Sequence, residues 1–142
     1  MSEHQTLIGV SVVSLCGHAI LIEGPPGSGK SSLALALIDR GAKLIGDDGV
    51  VLAREGGLVF ASPPPEIAGK FEIRGVGIVQ MDAESAPLAL ILSIDDEPQR
   101  FPGSIASREI LGLSIPRLPF RPGDAIQALR AEWALRTHGL TF

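Results

Sequence analysis

A chain of 142 residues with 45% hydrophobic and 20% charged side chains has the composition of one folded domain, which argues against wholesale disorder. A net charge of −4 argues against a broad binding surface for nucleic acid or anionic membrane. The apolar runs are shorter than the roughly 18 residues that cross a bilayer, and no secretion signal is present, so we expect a cytoplasmic protein. The single cysteine, Cys16, is predicted to be a small buried hydrophobe in a strand.

The first predicted elements are two strands that pair with each other. Residues 7–15 are rich in β-branched side chains and are predicted to pair, through a turn at Cys16 and Gly17, with a second strand over residues 19–23. We expect this pair to form a sheet edge that leads into the next segment of the chain.

That next segment, GPPGSGKSS at residues 24–32, fits the phosphate-binding template of a glycine, four free positions and then Gly-Lys-Ser. A run of helix formers follows it and ends at Gly41, a suitable helix cap. The Lys30 ammonium is suited to the terminal phosphates and the Ser31 hydroxyl to Mg²⁺, so a nucleoside triphosphate is the predicted ligand. A chance glycine-rich turn is the alternative. The residues predicted to contact the nucleotide are Gly24, Gly27, Ser28, Gly29, Lys30, Ser31 and Ser32.

Residues 42–46 predict a short apolar strand that ends in two adjacent carboxylates, Asp47 and Asp48. In an open α/β sheet, ligands bind beyond the carboxyl ends of strands, where the glycine-rich segment would also lie. Neighbouring residues on a strand point to opposite faces, so we expect one carboxylate to face the γ-phosphate and the other to make structural hydrogen bonds. An ordinary Asp-Asp-Gly turn is the alternative.

The middle of the chain predicts a hairpin over residues 49–62 and then a stiff proline connector at residues 62–65. A loop at residues 71–78 follows, and it is predicted to present Glu72 to a metal ion and Arg74 to a phosphate or carboxylate. A surface ion pair between these two side chains is the alternative.

The last third of the chain begins with residues 87–94, a nearly continuous apolar run that is typical of a central strand. A charged, proline-marked loop over residues 95–102 and a short helix over residues 107–113 are predicted next. Arg100 and Arg108 are predicted to be exposed.

The final predicted element is a helix that begins at an Asp124 N-cap with Gln127 as its capping-box partner and ends at Gly139. One apolar stripe of this helix has helical spacing and is predicted to face the core. It consists of Ile126, Leu129 and Trp133.

Three motifs in this order resemble the catalytic domain of HPr kinase/phosphorylase, the bacterial enzyme that phosphorylates a serine of the phosphocarrier protein HPr. They are ILIEGPPGSGKSSLALALIDRGAKLIGDDGVVL at residues 20–52, EIRGVGI at residues 72–78 and, more loosely, IPRLPFRPG at residues 115–123. The resemblance extends over residues 10–139. It implies the phosphoenolpyruvate-carboxykinase-like variant of the α/β P-loop fold, with a mixed sheet, and assembly as a hexamer. It also implies one catalytic domain over residues 1–142, in a short proteobacterial form without the family's N-terminal domain.

The resemblance further implies a role for each matching residue. Lys30 and the loop glycines would hold the phosphates of ATP, and Ser31 and Glu72 would hold Mg²⁺. Asp48 matches the family's catalytic aspartate, which takes the proton from the substrate serine. Asp47 matches the aspartate that supports it.

Two further arginines match positions of the family, and three positions depart from its pattern. Arg100 matches an arginine that the family uses in its active site, and Arg121 falls in the loop associated with dephosphorylation. Gly9 lies near the position where the family has a histidine, and Ser32 replaces an acidic residue. Pro-Gly-Asp-Ala at residues 122–125 replaces Pro-Gly-Arg-Asn, so the retention of the reverse reaction, phosphorolysis, is left open.

The resemblance therefore implies an ATP- and Mg²⁺-dependent serine kinase that acts on HPr or an HPr-like protein. The net charge of −4 predicts that neither nucleic acid nor membrane is a partner. Two other functions are compatible with the phosphate-binding segment. One is a small-molecule kinase or ATPase, and the other is a nucleotide-binding sensor without turnover.

Overall fold

Seven strands form one mixed sheet in the computed structural model, which describes residues 3–142. A further two-stranded sheet and two helices of the described residues pack against it, and a 3-10 turn spans Pro65–Ile67. The elements in chain order are β1 (His4–Leu15), β2 (His18–Glu23), α1 (Lys30–Asp39), β3 (Lys43–Glu55), β4 (Leu58–Ser62), β5 (Lys70–Ile73), β6 (Gly77–Gln80), β7 (Ala86–Ile94), β8 (Ala106–Ile110), β9 (Leu113–Phe120) and α2 (Gln127–His138).

The strand order of the large sheet is β2-β1-β3-β4-β7-β9-β8, and β2 also pairs with β7. The predicted pairing of β1 with β2 is confirmed, but the prediction that it forms a sheet edge is wrong. Because β2 is bonded to β1 on one side and, in parallel, to β7 on the other, five strands close into a ring. The strand that leads into the glycine loop (residues 24–29) is therefore held on both sides.

Two hydrophobic clusters occupy the two faces of this ring, and β2 contributes alternate side chains to each. Ile20 and Ile22 pack with α1, α2 and the β5–β6 hairpin, whereas Ala19 and Leu21 pack on the opposite face. The strand β7 is likewise buried on both faces, as its continuous apolar run predicts. Burial on both faces explains why these two strands lack an alternation of polar and apolar residues.

The strand β3 differs from its prediction because it does not end at the two aspartates. It continues through Asp47 and Asp48 to form a hairpin with β4. The backbone is kinked there: Asp48 has φ 67°, and a Cβ on Gly46 would lie 2.0 Å from the carbonyl oxygen of Gly49. Only glycine fits at position 46, so the kink is built into the sequence.

Residues 107–113 do not form the predicted helix. They belong to the β8–β9 hairpin, whose turn consists of Leu111 at φ 52° and Gly112 at φ 83°. A two-residue turn with positive φ at both positions matches the twist of antiparallel strands. The strand β9 is bonded to β7, and β8 pairs with β9. These backbone hydrogen bonds favour a strand over a helix for β8.

The start of α2 also differs from its prediction. The helix begins at Gln127 with Ile126 as its N-cap, and no side chain caps it. The carboxylate of Asp124 accepts a hydrogen bond from the Ile126 N–H at 3.1 Å, while the Gln127 side chain accepts one from the Gly123 N–H at 2.8 Å. These two residues therefore stabilise the turn before the helix rather than form a capping box.

The buried face of α2 is not the predicted apolar stripe. Ile126, Leu129 and Trp133 are 53%, 37% and 56% exposed, and the predicted core role of this stripe is wrong. Ala128, Ala131 and Ala134 are buried instead, because their small side chains let α2 pack closely on α1. The packing is completed by a two-point ion pair in which Arg40 Nε and Nη2 donate to the Glu132 carboxylate at 2.9 Å each.

Cys16 lies in the exposed turn between β1 and β2, with φ 51°, so the prediction of a buried strand position is wrong. The strand β1 ends at Leu15, one residue before Cys16, because the chain reverses direction at the turn. Within residues 3–142, no helix has both the length and the apolar character needed to span a membrane.

Candidate functional site

The glycine loop connects the end of β2 to the first turn of α1. Gly27 and Gly29 have φ 76° and 104°, values that side chains with a Cβ rarely adopt. At Gly24 a Cβ would lie 2.7 Å from Ser28 Oγ and 2.9 Å from Ile94 Cβ, so a residue larger than glycine would clash at this position. The loop thus ends at the N-terminus of α1, where the helix dipole favours an anion.

Two polar side chains, one in this loop and one at the start of α1, lack a full set of polar partners among the residues described. The Lys30 ammonium is bonded only to loop carbonyls, donating to Gly24 O at 2.7 Å and to Pro25 O at 2.9 Å. The buried Ser28 hydroxyl has no hydrogen-bond partner within residues 3–142. An ammonium with a free donor and an unpaired hydroxyl beside positive-φ glycines fit a phosphate group.

Two adjacent cavities lie in front of the loop. The hairpin cavity, of about 390 Å³, reaches toward β5 and includes Arg74 and Ser32. The bulge cavity, of about 490 Å³, reaches toward β1 and includes Gly9, Ser11 and Asp48. Both cavities are lined by Gly27, Lys30, Ser31, Asp47 and Glu72.

The two aspartates have different surroundings although both line the bulge cavity. Half-buried Asp47 accepts hydrogen bonds at one oxygen, Oδ1, from Ser11 Oγ at 3.0 Å and Ser31 Oγ at 2.8 Å. Asp48 is exposed, and its side chain makes no hydrogen bond within residues 3–142. The left-handed backbone at Asp48 interrupts the alternation of β3, which explains why adjacent residues reach the same cavity.

Glu72 and Arg74 lie on a β-hairpin, not on the predicted loop. Glu72 is part of β5 opposite Ile78 of β6, and Arg74 is in the turn between these strands. The preceding residue, Phe71, is 1% exposed and anchors the hairpin in the core, so alternation directs Glu72 outward. In the part of the chain that the structure describes, no ion pair joins Glu72 to Arg74.

Oxygen atoms dominate the side chains shared by the two cavities. Ser31 contributes a hydroxyl, while Asp47 and Glu72 contribute carboxylates. Hard cations such as Mg²⁺ bind one or two carboxylates together with hydroxyl, phosphate and water oxygens, so this set fits Mg²⁺ beside a nucleotide. Among residues 3–142, no three histidine, cysteine, aspartate or glutamate side chains group together as a metal cage.

The structure does not bring the two remaining predicted arginines into these cavities. Arg100 and Arg121 line a third cavity of about 590 Å³ between the loop after β7, the end of β9 and α2. The loop that holds Arg121 does approach the glycine loop, since a Cβ on Gly29 would lie 3.4 Å from Pro122 Cγ. Arg100 belongs to the exposed segment that follows β7.

Glu23 is a charged residue at this site whose importance the sequence reasoning missed. Its carboxylate, one residue before the glycine loop, accepts hydrogen bonds from Ser93 and from both terminal nitrogens of Arg108, and lies 3.4 Å from Arg117 Nε. Arg108 was predicted to be exposed, but it is half-buried because it is paired with Glu23. A carboxylate at the end of an otherwise apolar strand was the available signal.

The pKa of Glu23 follows from this environment. Burial raises it, but the hydrogen bonds from Arg108 and Ser93 lower it by more, so the pKa lies below its ordinary value of 4.5. The folded state therefore binds fewer protons at this group than the unfolded state. It follows that Glu23 stabilises the fold above pH 4.5 and loses this contribution as the pH falls through the lowered pKa.

We expect Glu23→Gln to lower the free energy of unfolding by about 1–2 kcal/mol at neutral pH, because it removes a charge from a partly exposed cluster. The difference from the wild type should shrink as the pH falls below 4.5. Denaturant unfolding across the acid range measures both effects. Glu109→Gln, at an exposed position of β8, is the matched control. Equal stability of Glu23→Gln and wild type at neutral pH would contradict this role.

Comparisons with known proteins agree with the geometry. Residues 1–84 match the family model described as HPr Serine kinase C-terminal domain. The HPr kinase/phosphorylase of Chlorobium limicola is 35% identical over 90% of this chain, and that of Clostridium botulinum is 33% identical over 83%. The solved structure of the Hpr(Ser) kinase/phosphatase from Coxiella burnetii superposes with a TM-score of 0.80 at 28% identity, and covers 94% of this chain and 95% of that one.

The match differs in extent between relatives. The chain spans 44% of the length of each of the two curated relatives, and nearly the whole of the solved chain. The structural match and the sheet topology confirm the predicted α/β fold with a mixed sheet. The family match over residues 1–84 includes the first two sequence motifs, and the relatives cover most of the chain, which confirms the resemblance.

Proposed function

The chain belongs to the HPr Serine kinase C-terminal domain family, and we propose that it transfers the γ-phosphoryl group of ATP to a serine of HPr or an HPr-like phosphocarrier protein. The observation that carries this proposal is the position of Asp48. Its carboxylate has no partner within residues 3–142 and lines the same cavity as Lys30 and Ser31. A carboxylate beside a phosphate-binding loop is what proton removal from a hydroxyl nucleophile needs.

The glycine loop and Lys30 bind the phosphates of ATP in this proposal. The loop contributes backbone N–H groups and the N-terminus of α1, while Lys30 exchanges its carbonyl partners for phosphate oxygens. Ser31 and Glu72 hold Mg²⁺, and Arg74 contacts a phosphate or the acceptor. When bound, Mg²⁺ neutralises negative charge on the β- and γ-phosphate oxygens.

Transfer is a single displacement at the γ-phosphorus. The acceptor serine oxygen forms a bond to phosphorus as the bond from phosphorus to the β,γ-bridging oxygen breaks, and ADP leaves. Asp48 takes the proton of the acceptor serine. Asp47 accepts the hydrogen bond of the Ser31 hydroxyl and so holds Ser31 in place. Most of the rate enhancement comes from positioning and from neutralised charge, as in other phosphoryl transfers.

We propose further that residues 1–142 act as one catalytic domain, assemble as a hexamer and work in the cytoplasm. Arg121 contacts the phosphorylated acceptor in the reverse reaction. A catalytic role for Arg100 requires the segment after β7 to move toward the bulge cavity, because Arg100 lines a different cavity in this structure.

Incubation with γ-labelled ATP, Mg²⁺ and purified HPr tests the proposal. Label on the acceptor serine supports it, and an acceptor with that serine replaced by alanine is the control for the site of transfer. Release of labelled phosphate without label on any acceptor indicates an ATPase. Nucleotide binding without either product indicates a sensor module. Each of these two outcomes contradicts serine kinase activity toward HPr.

A further inference from the structure

A β-bulge determines which residue of β1 lies beside Asp47. Ile8 pairs with Gly49, so an uninterrupted antiparallel register would place Val10 opposite Asp47. The register shifts between these pairs, and Ser11 is opposite Asp47 instead. The shift therefore exchanges an apolar side chain for a hydroxyl at this position.

The backbone of both strands is adapted to this shift. Gly9 in β1 has φ 76°, and Asp48 in β3 has φ 67°. Two residues of β1 thus oppose one residue of β3, which is the arrangement of a bulge. A bulge beside a binding cavity re-aims side chains, and here it re-aims Ser11.

Ser11 is 2% exposed, and its hydroxyl donates to Asp47 Oδ1 at 3.0 Å. Ser31 donates to the same oxygen at 2.8 Å. Two donors on one oxygen fix the plane of the carboxylate and leave its second oxygen, Oδ2, without a protein partner among the residues described. Because the only hydrogen of the Ser31 hydroxyl points at Oδ1, the lone pairs of this hydroxyl remain for a cation.

We propose that Ser11 is a positioning residue for the cation that accompanies the nucleotide. It holds Asp47 so that Asp47 Oδ1 accepts the hydrogen bond of the Ser31 hydroxyl. The Ser31 oxygen is thereby turned toward Mg²⁺, and Asp47 Oδ2 remains for Mg²⁺ or one of its water ligands. This role rests on the proposed function, since it assumes Mg²⁺ and a nucleotide at the glycine loop. Ser11 itself contacts neither.

A purely structural role for Ser11 makes a different prediction. If the hydroxyl only satisfied a half-buried carboxylate, its loss would lower stability and would weaken nucleotide binding equally with and without Mg²⁺. A positioning role affects the Mg²⁺-dependent part alone. The Mg²⁺ dependence of binding therefore separates the two roles without reference to catalytic activity.

The chain offers a matched control in Ser14. It belongs to the same strand and is 1% exposed, but its hydroxyl has no hydrogen-bond partner within residues 3–142. Ser14→Ala removes the same group from the same strand at a position that does not contact Asp47. Ser11→Thr keeps the hydroxyl and adds a β-branch that suits a strand.

The test is calorimetric titration of ADP into the full chain, once with Mg²⁺ and once with a chelator. For Ser11→Ala we expect ADP affinity with Mg²⁺ to fall about tenfold, as for loss of a hydrogen bond to a charged group. Affinity without Mg²⁺ should match the wild type. Ser14→Ala should match the wild type in both titrations, and Ser11→Thr should recover most of the lost affinity. Binding of Mn²⁺, followed by its paramagnetic resonance signal, should show the same order.

Two results would overturn the positioning role: wild-type Mg²⁺ dependence in Ser11→Ala, or an equal loss of affinity with and without Mg²⁺. The proposed function fails separately. If the wild type binds Mg²⁺ and ADP but labels no acceptor serine, the kinase proposal is wrong while the result for Ser11 stands. If the wild type binds no nucleotide, both are wrong.

Discussion

Replacement of Asp48 by asparagine is expected to lower the rate of phosphoryl transfer about a hundredfold to ten-thousandfold, the usual contribution of a general base. The amide keeps the size of the side chain but cannot take the serine proton. Because Asp48 is exposed and its side chain makes no hydrogen bond within residues 3–142, the fold and the binding of ATP should change little. Initial rates at saturating ATP, together with calorimetric ATP binding, measure the two parts of this expectation.

Asp82→Asn is the matched control for Asp48→Asn. Asp82 is another exposed aspartate, but it lines none of the three cavities described above. Its replacement removes the same charge and should leave the rate unchanged. An Asp48→Asn protein that phosphorylates the acceptor as fast as the wild type would remove Asp48 from the mechanism.

The second large effect is expected from Lys30→Ala, which should weaken ATP binding about 10- to 100-fold. The Lys30 ammonium lies over the glycine loop, bonded to two of its carbonyls, within reach of a phosphate bound there. A charge-assisted hydrogen bond to an anion contributes about 1.5–3 kcal/mol, which sets the size of the loss. Titration of ATP into wild type and variant gives the ratio of affinities directly.

Lys43→Ala is the control for the loss of positive charge, since Lys43 is exposed at the start of β3 and lines none of the three cavities. It should bind ATP as the wild type does. If Lys30→Ala also retains wild-type affinity, the glycine loop is not the phosphate site. If both variants lose affinity equally, the effect is one of overall charge and not of this loop.

The local part of the fold could be predicted because its signals lie close together along the chain. The apolar residues of β2, the positive-φ glycines and the helix formers of α1 occupy one stretch, and the predicted helix is present as α1. The hairpin of β3 with β4 and the central strand β7 were predicted for the same reason. Each depends on side chains only a few residues apart.

The face of α2 could not be predicted from spacing alone. The helix carries an apolar stripe of large residues and a second stripe of alanines, and both have helical periodicity. The distance to α1 selects between them, and close packing favours Ala131, which is fully buried, over Trp133. The helix prediction for residues 107–113 was wrong for a related reason. The backbone of β8 makes its hydrogen bonds to β9, a partner that the local sequence does not reveal.

The candidate site likewise combines residues that the sequence predicts with contacts that only the tertiary structure reveals. Lys30, Ser31 and Asp47 were chosen from motifs, and the structure places them around two adjoining cavities with Glu72. The contribution of Ser11 was invisible, since a single serine in a β-rich run carries no signal. Its contact with Asp47 exists only because the strands are paired with a shift in register.

By itself, the sequence determined the class of this protein: a strand, a glycine loop and a helix that together suit a phosphate, followed by carboxylates at the spacing of one family. These features depend on backbone conformation and on neighbours along the chain, which residue types encode directly. Only the tertiary structure decided that β2 is enclosed, that alanines form the buried face of α2, and that Ser11 lies beside Asp47. Strand register and helix packing depend on residues far apart in the chain, and their energies are settled only when those residues meet.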